Sequence, residues 1–198
     1  MNLVMSSDPR TAIMAAAGEV FARFGFKKAS VEDIARRAGV GKGSIYLHFE
    51  SKEALFEAIV ERAHAESLSE LNARVRRAKT PEAQVRAYIQ CKLEQQARAP
   101  EGQRIELSTI FELGLQAAHL VPRMMESDAA VLAGILEEGV EQGVFTVAEP
   151  RAVARGFVSL LVQFAVKLMP EGADVALMQS VERCFDIFIR GLLKQPPH

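Results

Sequence analysis

Apolar residues recur along this chain at intervals of three and four, and no stretch alternates convincingly with the period of two that a strand requires. Ile13, Ala17, Val20, Phe21 and Phe24 fall on one face of a first helix, with Asp8 as its cap, Pro9 in its first turn and Gly25 at its end. Ser30 and Asp33 form a capping-box-like pair at the start of a short second helix, which buries Ile34, Ala35 and Ala38 and stops at Gly39. A third runs from about Lys42 to His48 and turns Ile45 and Phe49 inward. Ser51 caps a fourth, with the apolar line Leu55, Ile59, Ala63, Leu71 and Val75. At 1.5 Å per residue its roughly 26 residues span about 39 Å, enough to join the front of the protein to its body.

Thr80-Pro81 opens a fifth helix bearing Val85, Tyr88, Ile89 and Leu93, and Pro100-Glu101-Gly102 breaks it. A sixth carries Ile105, Ile110 and Phe111, and a seventh runs from Pro122 to near Gly143. Pro150 opens an eighth with Val153, Phe157, Leu160 and Phe164, closing at Met169-Pro170. The last presents Met178, Val181, Phe185, Phe188 and Leu192, spaced 3, 4, 3, 4. The expected fold is all-α, with a three-helix amino-terminal head on a helical body.

Composition agrees with a folded chain: 49% of the 198 residues are hydrophobic and 25% are charged, which excludes a disordered tail or a fibre. Overall charge is uninformative, but its distribution is not. Residues 1–52 hold eight Lys/Arg against five Asp/Glu, a net of +3, whereas residues 53–198 carry −4. A basic head on an acidic body is the asymmetry of a binding module attached to a separate domain, and it sets the expected domains at 1–52 and 53–198. Cys91 and Cys184 are too few and too far apart for a disulfide framework or a zinc site. MNLVMSSDPR lacks a signal peptide's features, and the uncharged run GFVSLLVQFAV at 156–166 is far short of a membrane span. The expected location is the cytoplasm, with no membrane partner.

Residues 30–52, SVEDIARRAGVGKGSIYLHFESK, place one arginine pair, two lysines, three glycines, a tyrosine and a histidine around a thin apolar line. Two short helices joined by AGVGKG have helix-turn-helix geometry, in which the first braces and the second presents its outer face to the DNA major groove. Gly39 permits a left-handed end to the brace helix, and Gly41 can serve as the next N-cap. Gly43 lets the backbone approach a groove wall. Lys42 opposes the helix dipole unless a phosphate is present, while Ser44 and Tyr46 reach phosphates or base edges. Any one of these residues reads equally well as a solvated surface group; the arrangement carries the reading.

Residues 24–55, FGFKKASVEDIARRAGVGKGSIYLHFESKEAL, resemble the signature of TetR-type (tetracycline-repressor) transcriptional regulators. The match runs without a gap through Gly25, Ser30, Ile34, Ala35, Gly39, Lys42, Gly43, Tyr46, His48, Phe49 and Lys52. It departs at Ala29, where Thr is frequent, and at Gly41, where Ser or Thr is frequent. The resemblance implies that Ser30 bonds a phosphate at the start of the brace helix. It implies that Lys42, Gly43, Ser44 and Tyr46 face the groove, with His48 and Lys52 flanking it on the phosphate backbone. It further implies a homodimer formed through the last two helices, and a body pocket whose small-molecule ligand alters the spacing of the DNA heads and relieves repression from a palindromic duplex operator.

In the body, the 4-3-4 line of Val181, Phe185, Phe188 and Leu192, with Phe157 and Phe164 on the preceding helix, reads as a dimer seam. The same line is compatible with the buried face of one monomer. Tyr88, Phe111, His119, Met124 and Met125 offer apolar walls with a few polar handles for a small, largely apolar ligand, against the competing reading of plain core packing. Alternative functions are a helical-bundle enzyme and an architectural DNA-binding protein. For the enzyme, a Glu-x-x-His pair occurs once, at Glu61 and His64, where a carboxylate metal site needs repeats, and no nucleophile elbow, phosphate loop or Cys/His cluster is present. No catalytic, metal or cofactor site is expected. A purely architectural binder would not need so large an apolar body.

Overall fold

A computed structural model of the chain describes residues 8–97, 107–168 and 175–194. The side chains of Phe111, Phe164 and Met178, and the breaks expected at Pro100-Glu101-Gly102 and Met169-Pro170, lie outside the described residues. The helices are α1 (Pro9–Lys28), α2 (Val31–Ala38), α3 (Lys42–His48), α4 (Lys52–Arg77), α5 (Pro81–Ala97), α6 (Leu107–Ala117), α7 (Val121–Glu141), α8 (Pro150–Leu168) and α9 (Val175–Leu192). A 3-10 turn over Ala118–Leu120 precedes α7. Their starts follow local chemistry: Ser51 Oγ accepts from Ala54 N at 3.0 Å, and Thr80 Oγ1 from Ala83 N at 3.2 Å. No helix among the described residues is long and apolar enough to cross a membrane.

The chain divides into two compact units, one of residues 1–65 and 100–121, the other of residues 66–99 and 122–198. This structural partition runs through α4 and assigns α6 to the first unit, whereas the pattern of charge sets the boundary at 52/53.

In the first unit, Ile13, Ala17, Val20 and Phe21 are buried as their spacing predicts. Phe24, expected beside them, is 44% exposed with the Arg23 guanidinium over its ring. The cause is a kink at Gly25 (φ 76°, ψ 168°), beyond which Phe26 turns inward in its place. Phe21, Phe26 and Phe56 then form a triangle with ring centroids 5.4–5.5 Å apart. Burying each such ring contributes about 1.5–3 kcal/mol, so this triangle anchors the head. Helix α6 also belongs to this unit: Glu112 accepts a hydrogen bond from Lys27 N at 2.6 Å, and Leu113 and Ala117 pack on the head's core.

The second unit packs Leu71 and Val75 of α4 with Val85, Tyr88 and Ile89 of α5, Leu132 and Leu136 of α7, Phe157 and Val158 of α8, and Ile189 and Leu192 of α9. Phe157 lies 4.5 Å from Phe188 and 5.5 Å from Phe185, centroid to centroid. Part of the expected seam is thus seated within one chain. Phe157, Val181 and Leu192 are buried inside one chain, and Phe185 and Phe188 are partly buried against the same core. A 3-4 repeat marks a buried stripe; it cannot say whether the cover comes from the same chain or another. Among the described residues of α8 and α9, the large apolar side chains left exposed are Leu160 (70%) and Ile187 (71%). Between α7 and α8 the chain folds back on α7, so that a Cβ on Gly139 would lie 2.1 Å from the Phe145 ring. Thr146 N donates to Leu192 O at 2.8 Å and Lys194 N to Val144 O at 3.0 Å, fastening this turn to the end of α9.

Candidate nucleic-acid interface

Local sequence positions α2 and α3. Ser30 Oγ accepts from Asp33 N at 3.1 Å and donates to the Asp33 carboxylate at 2.5 Å. That hydrogen bond, followed by the pairing with Arg36, holds the Asp33 carboxyl below its ordinary value. Because the hydroxyl has one proton, Ser30 must release Asp33 before it can donate to a phosphate. At the other end Gly39 is left-handed (φ 70°), and Val40 N reaches back to Ala35 O at 3.0 Å, which closes α2. Gly41 then caps α3 through its backbone alone, Ser44 N donating to Gly41 O at 2.9 Å.

Helix α3 is seated by Ile45 and Phe49, 2% and 5% exposed. Its other side faces outward with Lys42, Gly43, Tyr46, Leu47 and His48 all exposed and Ser44 partly so. A Cβ on Gly43 would meet nothing within 4 Å, so its small size serves no internal packing. This surface combines a cation, hydroxyls, an imidazole and an apolar side chain on a helix of the width that a major groove of about 12 Å admits.

Two outward residues escaped the sequence reading. Leu47 is 85% exposed on α3, where an apolar group suits a thymine methyl. The signal was its place opposite the inward Ile45 and Phe49. Glu32 in the first turn of α2 pairs with Lys42 across the two helices. The pairing lowers the Glu32 carboxyl and raises the Lys42 ammonium from their ordinary values, the hydrogen bond between them being the largest cause of each.

Lys52 corrects an expectation. Its ammonium does not point out toward a backbone phosphate but donates to Phe26 O at 2.9 Å and Ala29 O at 3.1 Å, and lies 4.4 Å from the centre of the Phe26 ring. It ties the start of α4 to the end of α1 by satisfying carbonyls that a terminating helix leaves without partners.

The residues expected to line a ligand site divide differently. Tyr88 is fully buried and its hydroxyl donates to Asp128 O at 3.1 Å, so it is a core residue with its polar handle already used. Burial and the nearby Asp128 charge push that hydroxyl well above the ordinary phenol value. Met124 and Met125 are partly buried, Met125 against the core that holds Tyr88. His119 belongs to the first unit and is exposed, with Nε2 3.0 Å from Glu57 Oε1. The sequence reading missed Lys92 and Asp128, whose ion pair of 2.6 Å in the second unit is almost withdrawn from water, their side chains 12% and 8% exposed.

Residues 13–59 match the family model described as bacterial regulatory proteins, tetR family. The HTH-type transcriptional regulator RutR of Escherichia coli (strain K12) is 36% identical over 99 residues, 50% of this chain and 46% of that protein. The chain thus matches about half the length of this curated relative. A tetR-family transcriptional regulator from Pectobacterium atrosepticum has a solved structure that is 26% identical, with a TM-score of 0.68 over 95% of each chain. The regulator FadR from Bacillus subtilis, solved in complex with stearoyl-CoA, has the same fold at 19% identity, with a TM-score of 0.68 over 92% of this chain and 98% of that one.

Proposed function

We propose that this chain, a member of the tetR family of bacterial regulatory proteins, is a transcriptional repressor that binds a palindromic duplex operator as a homodimer and is released by a small, largely apolar ligand. The observation that carries this reading is the outward face of α3, where Lys42, Tyr46, Leu47 and His48 stand exposed on a helix held by Ile45 and Phe49. Residues 1–52 serve as the DNA-binding domain and residues 53–198 as the regulatory and dimerisation domain. Ser44 engages a phosphate, Lys42, Tyr46 and Leu47 meet base edges, Gly43 keeps the backbone close to the groove wall, and His48 flanks the groove. Two copies meet through Leu160 of α8 and Ile187 of α9, apolar side chains that one chain leaves in water.

The ligand seats in the second unit beside Met124 and Met125, with the Lys92–Asp128 pair as its polar anchor. FadR, which shares the fold, is solved with stearoyl-CoA, whose acyl chain is apolar, and this supports an apolar part to the ligand. A tenfold loss of operator affinity requires about 1.4 kcal/mol of preference for the released state.

The test is selection of genomic DNA fragments by the purified protein, followed by titration of the enriched fragment. An inverted-repeat motif that the Lys42→Ala/Tyr46→Ala double variant no longer binds is the expected result. Undiminished binding by that variant refutes the interface.

A further inference from the structure

Glu32 is out of place on a surface meant for a polyanion. It is not buried for the sake of the core, its side chain being 59% exposed, and Ser30 and Asp33 already cap its helix. Its carboxylate reaches across from α2 to Lys42 at the start of α3, whose side chain is 52% exposed. An exposed pair of this kind contributes little to stability. It also has a price for DNA binding, since a lysine tied to a carboxylate neutralises no phosphate and releases no counterion.

The pair as a unit has a complement. In the major groove a guanine presents the acceptors N7 and O6, and the cytosine paired with it presents the N4 amino donor beside them. A lysine ammonium next to a glutamate carboxylate offers the matching donor and acceptor. We propose that Glu32 and Lys42 together read one G·C base pair in each operator half-site, Lys42 donating to guanine and Glu32 accepting from the cytosine amino group. An A·T pair turns its adenine amino group and thymine carbonyl toward the same groove with a methyl beside them, and so leaves the pair mismatched. On DNA without the G·C pair the carboxylate gains no hydrogen bond there and keeps Lys42 from the phosphates. Glu32 is then a specificity-determining residue that lowers affinity for arbitrary sequence and restores it at the operator. This inference rests on the DNA-binding reading above.

The experiment compares the full-length chain with Glu32→Ala, Glu32→Gln and Lys42→Ala by selection from random duplex DNA, with binding of the unmodified chain's motif measured by fluorescence anisotropy. Each half-site of that motif is expected to hold a G·C position whose replacement by A·T weakens the unmodified chain about tenfold. The same replacement should weaken Glu32→Ala less than about twofold, and random DNA should bind Glu32→Ala several times more tightly. Glu32→Gln should shift the preference at that position toward adenine, since an amide suits the adenine edge. Lys42→Ala should lose the G·C preference too, whereas Glu19→Gln, which removes the comparable pair with Arg37, should keep it. If the unmodified chain enriches no motif, the DNA-binding reading and this inference fall together. If it enriches a motif that Glu32→Ala, folded by its melting curve, selects unchanged, this inference alone is overturned.

Discussion

Glu112 reaches back against Gly25: a Cβ on Gly25 would lie 2.9 Å from Glu112 Oε2, the end of a side chain held by Lys27 N, and the glycine's φ is +76°. Two independent penalties therefore bear on one position. Gly25→Ala should destabilise the protein by about 1–3 kcal/mol, from the left-handed backbone and the crowding together. Adding Glu112→Ala should relieve the crowding but not the backbone strain, so urea unfolding of the double variant should recover less than the whole loss. Full recovery would show that the backbone at Gly25 imposes nothing.

Lys42 and Lys52 should separate cleanly. Lys52→Ala removes two bonds to helix-end carbonyls and should lower stability by about 1–3 kcal/mol in denaturant titration. Its operator binding should keep an unaltered salt dependence. Lys42→Ala should leave the melting point in place and weaken binding of the operator by about tenfold, since its ammonium is engaged by Glu32 and a base edge. A Lys52→Ala protein of normal stability and reduced slope would put that ammonium back on the phosphates.

Gly139→Ala places a methyl 2.1 Å from a ring carbon of Phe145, a residue only 3% exposed. Overpacking at such a site costs about 1–3 kcal/mol. Combining it with Phe145→Leu, which withdraws the ring, should reduce the additional cost of the alanine. Equal costs in both backgrounds would mean that the ring moves aside without strain.

The exposed faces of α8 and α9 give opposite expectations for two charge insertions. Leu160→Arg with Ile187→Arg should yield a monomer of undiminished helicity by light scattering and circular dichroism, since both side chains lie outside the core. Phe157→Arg should instead unfold the second unit, because it buries a charge among Phe185 and Phe188. A folded dimer in the first case would move the interface elsewhere.

Acid should reach the cap of α2 late. The Asp33 carboxyl is held below its ordinary 3.8 by the Ser30 hydroxyl and then by Arg36. A depressed carboxyl stabilises the folded state fully above its unfolded value, and the contribution disappears as pH falls through the folded one. The Asp33 resonance should therefore titrate below 3.8 in the folded chain and move up in Ser30→Ala. Titration at 3.8 or above in the unmodified chain would contradict the cap.

Helix limits were legible because the residues that set them act locally. Ser30, Gly39 and Gly41 delimit α2 and α3 whatever else the chain does, and Pro81 and Pro150 open their helices for the same reason. The outward positions of α3 followed from Ile45 and Phe49 being inward. What could not be read were contacts between distant segments. Glu112 lies 85 residues from the amide it caps, and nothing in either neighbourhood announces the other. Lys52 showed a cation but not its direction, because a lysine stem reaches a phosphate or a carbonyl with equal ease. Phe24 and Phe26 exchanged roles through a single backbone angle at Gly25, which an unbroken helical repeat does not anticipate.

The chain contains no tryptophan and two tyrosines, and these stand at opposite extremes: Tyr46 is 47% exposed on α3, while Tyr88 is completely enclosed in the second unit. Ultraviolet emission from the unlabelled protein is thus a sum of two sources, one per unit. DNA lying against α3 would dim the first and leave the second untouched, whereas loosening of the body would alter the second alone. Replacing either ring by phenylalanine turns the molecule into a single-channel optical reporter of the other event, so operator occupancy and effector arrival can be timed separately without a dye.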